Sequence, residues 1–202
     1  MMFSLKPSRN FDCHTHRQQA AAGRALINVS DECLLHPHLF MPQEGAFYSV
    51  GIHPMFHDSL EQATVSFQQL LHHRQIVAVG ECGFDRRSHL SLQQQEELFR
   101  FQLECAQRFS MPVVVHCVGG WDRLLRLQKS IPDLERRIVH GFRGKPELVR
   151  QLLSAGFSLS FGPRFNSESL ALCPKDRRFV ETDNFNITLE EVCRLQDNFY
   201  DA

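Results

Sequence analysis

Eight short apolar runs recur along the 202-residue chain, and longer stretches of helical pattern fill several of the gaps between them. We read the runs as strands over residues 11–16, 25–30, 47–53, 76–81, 113–118, 137–142, 157–161 and 179–182. They are rich in β-branched or aromatic residues and are bounded by Gly, Pro or polar residues. Several are apolar on both faces, as strands buried in a parallel sheet are. The clearest helix spans 91–110, where Ser91 and Gln94 have capping-box spacing and Leu98, Phe101, Cys105 and Phe109 form one apolar stripe. A second runs over 121–129 with Leu124, Leu125 and Gln128 at helical spacing. A third opens on Pro146, carries Leu148, Val149, Leu152 and Leu153, and has Gly156 suited to its C-terminal cap. Weaker helices are expected over 59–73 and 188–198.

Strands alternating with helices argue for an α/β fold with a parallel sheet, and eight strands suggest a (β/α)8 barrel. An open doubly wound sheet is the competing architecture. The length lies at the low edge for a barrel, about 200 residues. The link over 17–24 is too short for a proper helix, and the segment after Phe161 is brief. We therefore expect a trimmed, irregular TIM-like barrel forming a single domain over residues 1–202. The 17 Phe are assigned to its core.

Six side chains of metal-binding type sit at or just past the ends of these runs: His14, His16, Glu81, His116, His140 and Asp183. In a parallel barrel, strand ends gather residues from distant sequence into one site. His14 and His16 are two apart and so share a face on a regular strand. Glu81 follows four apolar residues, where an unpaired charge would be costly, so a partner is expected. His116 follows three Val, and His140 follows Arg-Ile-Val. Asp183 competes with Thr188 for capping the last helix, which frees it for the site. His53 and Arg143 are candidates for substrate contact, and Arg164 is a weaker one. His36, His38, His57, His72, His73 and His89 are assigned to the surface. Read singly, each candidate has a structural explanation; together they point to a hydrolase using one or two divalent cations.

Composition narrows the setting. The net charge of -1, with no basic block, gives no ground for non-specific clinging to nucleic acid. Seven Cys without a C-x-x-C pair argue against a disulfide framework and for the cytoplasm. Cys13, Cys82 and Cys117 adjoin candidate ligands and are expected to point outward, as small apolar residues. We see no signal peptide, and no run approaches the ~20 apolar residues of a membrane span.

The ordered set resembles the TatD family of metal-dependent hydrolases, in the amidohydrolase superfamily. Phe-Asp-Cys-His-Thr-His is similar to the family's opening D-x-H-x-H. Gly-Ile-His-Pro resembles its third-strand signature, and Gly-Glu-Cys-Gly-Phe-Asp its fourth. Gln95, Phe99, Gln102 and Ala106 fit its Q-x3-F-x2-Q-L-x2-A helix. Val-His-Gly-Phe-Arg-Gly, Leu-Ser-Phe-Gly and Glu-Thr-Asp follow in family order, so the match spans residues 11–183.

The resemblance implies a TIM-like barrel with two divalent ions. One would take His14, His16 and Asp183, the other His116 and His140, with Glu81 bridging. It implies phosphodiester hydrolysis of deoxyribonuclease type. Asp183 and Glu81 would be the catalytic acids, with Asp183 orienting the attacking water or accepting its proton, and His53 would touch a phosphate oxygen. Zn²⁺ suits the His-rich set, while Mg²⁺ and Mn²⁺ suit carboxylates and phosphate. DNA or a small phosphate ester is the implied substrate; no membrane association and no obligate protein partner is indicated. The chain also departs from the family. Val118, followed by Gly119 and Gly120, stands where an Arg is usual, Arg143 stands where Ser is usual, and Asn184-Phe185-Asn186 replaces the expected Pro. Much of the first helix and the C-terminal segment are short. The same residues also suit a hydrolase of an amide, ester or lactone, or a metal-binding barrel without turnover.

Overall fold

All eight expected strands form, and they pair in chain order. The computed structural model describes residues 5–127, 134 and 136–200. The strands are β1 (Asp12–Thr15), β2 (Ala25–Asn28), β3 (Phe47–Val50), β4 (Ile76–Asp85), β5 (Val113–Val118), β6 (Arg137–Val139), β7 (Ser158–Phe161) and β8 (Arg178–Val180). Every neighbouring pair is parallel. A parallel bridge between Thr15 and Asp183 joins the last strand to the first, so the sheet is a barrel and not the open alternative.

Seven helices lie among the described residues: α1 (Asp31–Leu35), α2 (Leu60–Leu70), α3 (Leu92–Arg108), α4 (Trp121–Leu127), α5 (Pro146–Ser154), α6 (Ser167–Leu172) and α7 (Leu189–Tyr200). No helix follows β1, as the short link requires. Helices α1 and α6 were not expected; each is barely more than one turn, too short to display a period. Asn166 nevertheless caps α6, accepting from the Ser169 N–H at 2.9 Å. Gln128 and Lys129, assigned to the second expected helix, lie outside the described residues. None of the described helices is long and apolar enough to cross a membrane.

Two apolar layers follow from the alternation of strand side chains. Val113, Val115 and Val139 join the outer layer with helix residues such as Phe67, Phe99 and Leu152. Leu26, Ala78, Val114, Ile138 and Phe179 form a separate inner cluster, closed from below by Leu5. Eight Phe are among the largest fully buried side chains, and among the described residues none of the large exposed apolar side chains is a Phe.

Two expectations need correction. Cys13 points inward, joining the inner cluster with its Sγ 3.0 Å from Ser160 Oγ. The cause is a bulge: Asp12 pairs with Ala25 but Thr15 with Ile27, so β1 has one residue more than β2 over this stretch. Cys13 and His14 therefore share the inside, which simple alternation forbids. Cys82 and Cys117 do lie in the outer layer. The buried stripe of α3 is Phe99, Leu103 and Ala106 with Gln95 and Gln102, while Leu98, Phe101, Cys105 and Phe109 flank it half-buried. A period of 3.6 places several overlapping stripes on one helix, and the buried glutamines disguise the true one.

The seam between β8 and β1 is short. The His16 amide donates to the Asp183 carbonyl at 3.1 Å, and the Asp183 amide to the His14 carbonyl at 3.0 Å. Asp12 adds the rest: its carboxylate accepts from the Thr182 amide at 3.0 Å and the Thr182 hydroxyl at 2.6 Å. Burial pushes this carboxyl up to about 7 despite both bonds. Asp12→Ala takes the acceptor from the Thr182 amide and leaves the Thr182 hydroxyl only Thr15 Oγ1, and is expected to cost roughly 1–3 kcal/mol in urea unfolding. Asp12→Asn keeps the carbonyl oxygen and should cost less.

Candidate metal centre

The ends of the strands converge on one carboxylate. Glu81 lies in a second bulge, where Val79 pairs with Val113 and Cys82 with Val115. Its backbone N–H donates to Asn28 Oδ1 at 3.0 Å. Its Oε1 faces His116 Nδ1 at 2.6 Å, His140 Nε2 at 2.6 Å and His53 Nε2 at 3.2 Å. Its Oε2 faces His14 Nε2 and His16 Nε2, each at 3.3 Å. Asp183 Oδ1 lies 3.6 Å from His16 Nε2 and 3.9 Å from His14 Nε2. All six expected ligands are thus gathered at one mouth. Thr188 caps α7 by accepting from the Glu191 amide, so Asp183 is free of that role.

The donor set fits divalent cations. His14 is fully buried, yet among the described residues neither of its ring nitrogens is aligned for a hydrogen bond. His140 Nδ1 and both Glu181 oxygens are also buried without one. Burial of that kind is costly unless another group completes it. Ligand atoms of His14, His16 and Asp183, and of His14, Glu81 and His140, lie within 4.8 Å of one another.

Charge is distributed accordingly. Burial works to raise the Glu81 carboxyl, but the imidazoles of His140, His116 and His14 outweigh it and hold it well below the carboxylate range. Burial works to lower His140, and Glu81 and Glu181 overcome it, raising it well above an ordinary imidazole. Burial lowers His14, and neighbouring His140 lowers it further. Burial works to raise the Glu181 carboxyl as well, but His140 lowers it, so the cluster favours two ionised carboxylates on either side of His140.

Three positioning groups escaped the sequence reading. Asp85 accepts from His116 Nε2 at 2.9 Å and is itself held by Arg87. With Nε2–H so engaged, His116 keeps the Nδ1 lone pair for a cation. Glu181, fully buried, lies 3.4 Å from His140 Nδ1. Asn28 fixes the Glu81 backbone. The available signal for Asp85 and Glu181 was an acid at the end of an apolar run, the same signal that singled out Glu81. Asp85→Ala is expected to weaken divalent-metal affinity by about 10–100-fold, read by competition with a chelating dye.

Helix α3 reaches the site through its buried glutamines. Gln95 pairs with the Asp85 backbone, accepting from its N–H at 2.8 Å and donating to its carbonyl at 3.1 Å. Gln102 treats Ile52 in the same way, at 2.7 and 3.1 Å. Each amide thus acts as a strand partner where the sheet has ended. His53 follows directly, and its Nδ1 accepts from the Met55 amide at 3.0 Å. In neutral His53 the proton then sits on Nε2, making this residue a donor at the mouth and a poor ligand. Arg143 and Arg164 line the same cavity. Of the six His assigned to the surface, five are exposed; His73 is half-buried, with its ring 5.3 Å from that of Phe40.

The profile described as TatD related DNase matches residues 8–189. The 3'-5' ssDNA/RNA exonuclease TatD of Erwinia billingiae (strain Eb661) is 34% identical over 149 residues, covering 67% of this chain and 56% of the relative. The protein of the same name from Musicola paradisiaca (strain Ech703) is 32% identical over 163 residues, 72% and 61% of the two chains. This chain thus spans somewhat over half the length of the curated relatives it matches. A crystal structure of a TatD homologue from Escherichia coli K12 superposes with a TM-score of 0.70 at 21% identity, covering 95% of this chain and 96% of that one. A TatD family hydrolase from Entamoeba histolytica gives 0.64 at 17% identity, over 87% and 74%. The two structures share the barrel fold with this chain. On the extent of the profile match and the identity to these relatives, the chain belongs to the TatD-related DNase family.

Proposed function

We propose that the chain is a metal-dependent phosphodiesterase that hydrolyses nucleic acid at a binuclear centre. The observation that carries this reading is the division of labour at Glu81, whose two oxygens face two different sets of imidazoles. His14, His16 and Asp183 would hold one cation, His116 and His140 the other, with Glu81 between them. Bound divalent ions supply Lewis-acid chemistry, acidifying water and offsetting phosphate charge. Zn²⁺ suits four imidazoles, and Mg²⁺ or Mn²⁺ suits phosphate substrates. Asp183, half-buried at the mouth, would orient the attacking water and accept its proton. His53 would donate from Nε2 to an oxygen of the reacting phosphate, and Arg143 would meet substrate phosphate beyond the metal centre. The names of the curated relatives point to single-stranded DNA or RNA as the substrate. Seven free cysteines suit a reducing compartment such as the cytoplasm.

The test is hydrolysis of a labelled single-stranded oligonucleotide with Zn²⁺, Mg²⁺ or Mn²⁺, beside a panel of amides, esters and lactones. Oligonucleotide cleavage that chelator abolishes supports the proposal. Turnover confined to acyl substrates would replace it with an amidohydrolase-like activity. Metal bound with no turnover on any substrate would leave a binding barrel.

A further inference from the structure

The cavity above Glu81 carries a pair of arginines that the metal centre does not use. Arg143 follows β6, Arg164 follows β7 and Phe185 follows β8, so three consecutive strand ends supply one cluster. The Arg164 guanidinium lies 4.9 Å from the centre of the Phe185 ring, and that of Arg143 lies 5.6 Å from it. All three line the same cavity as Glu81, His140 and Asp183.

Two features separate this cluster from ordinary surface arginines. Among the described residues neither guanidinium has a carboxylate or hydrogen-bond partner, whereas nearby Arg87 is tied to Asp85. Contact with a ring face orders a guanidinium without engaging its N–H groups, so the donors of both remain available. The ring itself is anchored through its backbone: the Phe185 amide donates to the Thr182 carbonyl at 3.0 Å, and the Phe185 carbonyl accepts from Arg17 at 2.6 Å. Arg86, at the end of β4, adds positive charge elsewhere on the cavity wall. Four arginines, Arg86, Arg87, Arg143 and Arg164, line this mouth beside the acids Asp31, Glu81 and Asp183.

We propose that Arg143 and Arg164, held by Phe185, form a clamp for a second, non-scissile phosphate of a polynucleotide. The inference rests on the phosphodiesterase reading and narrows it: the substrate is a nucleic-acid chain and not a monomeric phosphate ester. A phosphate is the natural occupant, because two unpaired planar guanidinia offer paired N–H donors to its oxygens. A single strand suits the cluster, since guanidinium planes and an aromatic ring also take unstacked bases.

The experiment uses the full chain, Arg143→Gln/Arg164→Gln and Phe185→Leu, with circular dichroism confirming that the variants fold. Binding of fluorescent oligothymidylate is followed by anisotropy in chelator across a salt series, so no turnover is needed. Losing the clamped phosphate should flatten the slope of log affinity against log salt by about 0.7 in the double variant. Phe185→Leu should weaken binding by releasing both side chains. With metal restored, the ratio of kcat/KM for the oligonucleotide to that for bis(p-nitrophenyl) phosphate should fall about tenfold or more in the double variant. An unchanged salt slope would overturn the clamp, leaving two solvated arginines. If the wild type cleaves neither substrate, the phosphodiesterase reading fails, and the anisotropy series still decides the clamp.

Discussion

Glu81→Ala is expected to lower phosphodiester hydrolysis by about a thousandfold or more and to reduce bound metal with it. One carboxylate presents separate oxygens to His116 and His140 on one side and to His14 and His16 on the other. Among the described residues no other acid lies within 4 Å of both groups: Asp183 lies that close only to His14 and His16, with His140 within 4.8 Å, and Glu181 only to His140. Removing Glu81 therefore weakens both halves together, whereas removing Asp183 weakens one. A thousandfold loss corresponds to about 4 kcal/mol of barrier, modest for a group so placed. Elemental analysis and oligonucleotide cleavage on the same preparations provide the readout. Wild-type metal content and rate in the variant would remove Glu81 from the site.

Gly83→Ala is expected to be the most damaging single-methyl change in the chain. Gly83 sits two residues past Glu81 and pairs with His116 across β4 and β5. Its φ is +142°, and a Cβ there would lie 2.2 Å from the His116 carbonyl oxygen. That oxygen belongs to the backbone of an expected ligand and cannot move without breaking the ladder. We expect a destabilisation of about 4 kcal/mol or more, at the upper end for point changes. For a chain of this size that is a fall in Tm of about 8–16 °C, measured by thermal unfolding. Gly23→Ala separates conformation from crowding. Gly23 also has a positive φ, +74°, but its nearest neighbour would be 3.9 Å away. It should cost about 1–2 kcal/mol. Equal effects at the two positions would refute the steric explanation.

Most of the barrel was legible in the sequence because buried parallel strands announce themselves as short apolar runs, and Phe11, Val113 and Phe179 mark three of them. That the six candidate side chains meet at one mouth was legible for a related reason. Glu81 and His116 break their runs after three or four apolar or small residues, His14, His16, His140 and Asp183 stand at or just past the ends of theirs, and strand ends in a barrel point to one mouth. What escaped was whatever depends on register. The bulge that turns Cys13 inward beside His14 leaves no trace in residue type. The stripe of α3 was misplaced because its buried positions include Gln95 and Gln102, whose partners are backbone groups of Asp85 and Ile52 that only the fold brings near. Asp85 and Glu181 had the right signal but stood beside stronger candidates. Helices α1 and α6 are set by tertiary packing rather than by any period of their own.

The seam between β8 and β1 has a further consequence. His14 and His16 stand at one lip of that seam and Asp183 at the other. On the proposed assignment, a cation held by these three would clasp the first strand to the last. Barrel closure and metal occupancy then become a single linked equilibrium, in which each favours the other by the same free energy. A barrel with no helix between its first two strands would in that case recover, through a bound cation, part of the cohesion that such a helix would supply by packing.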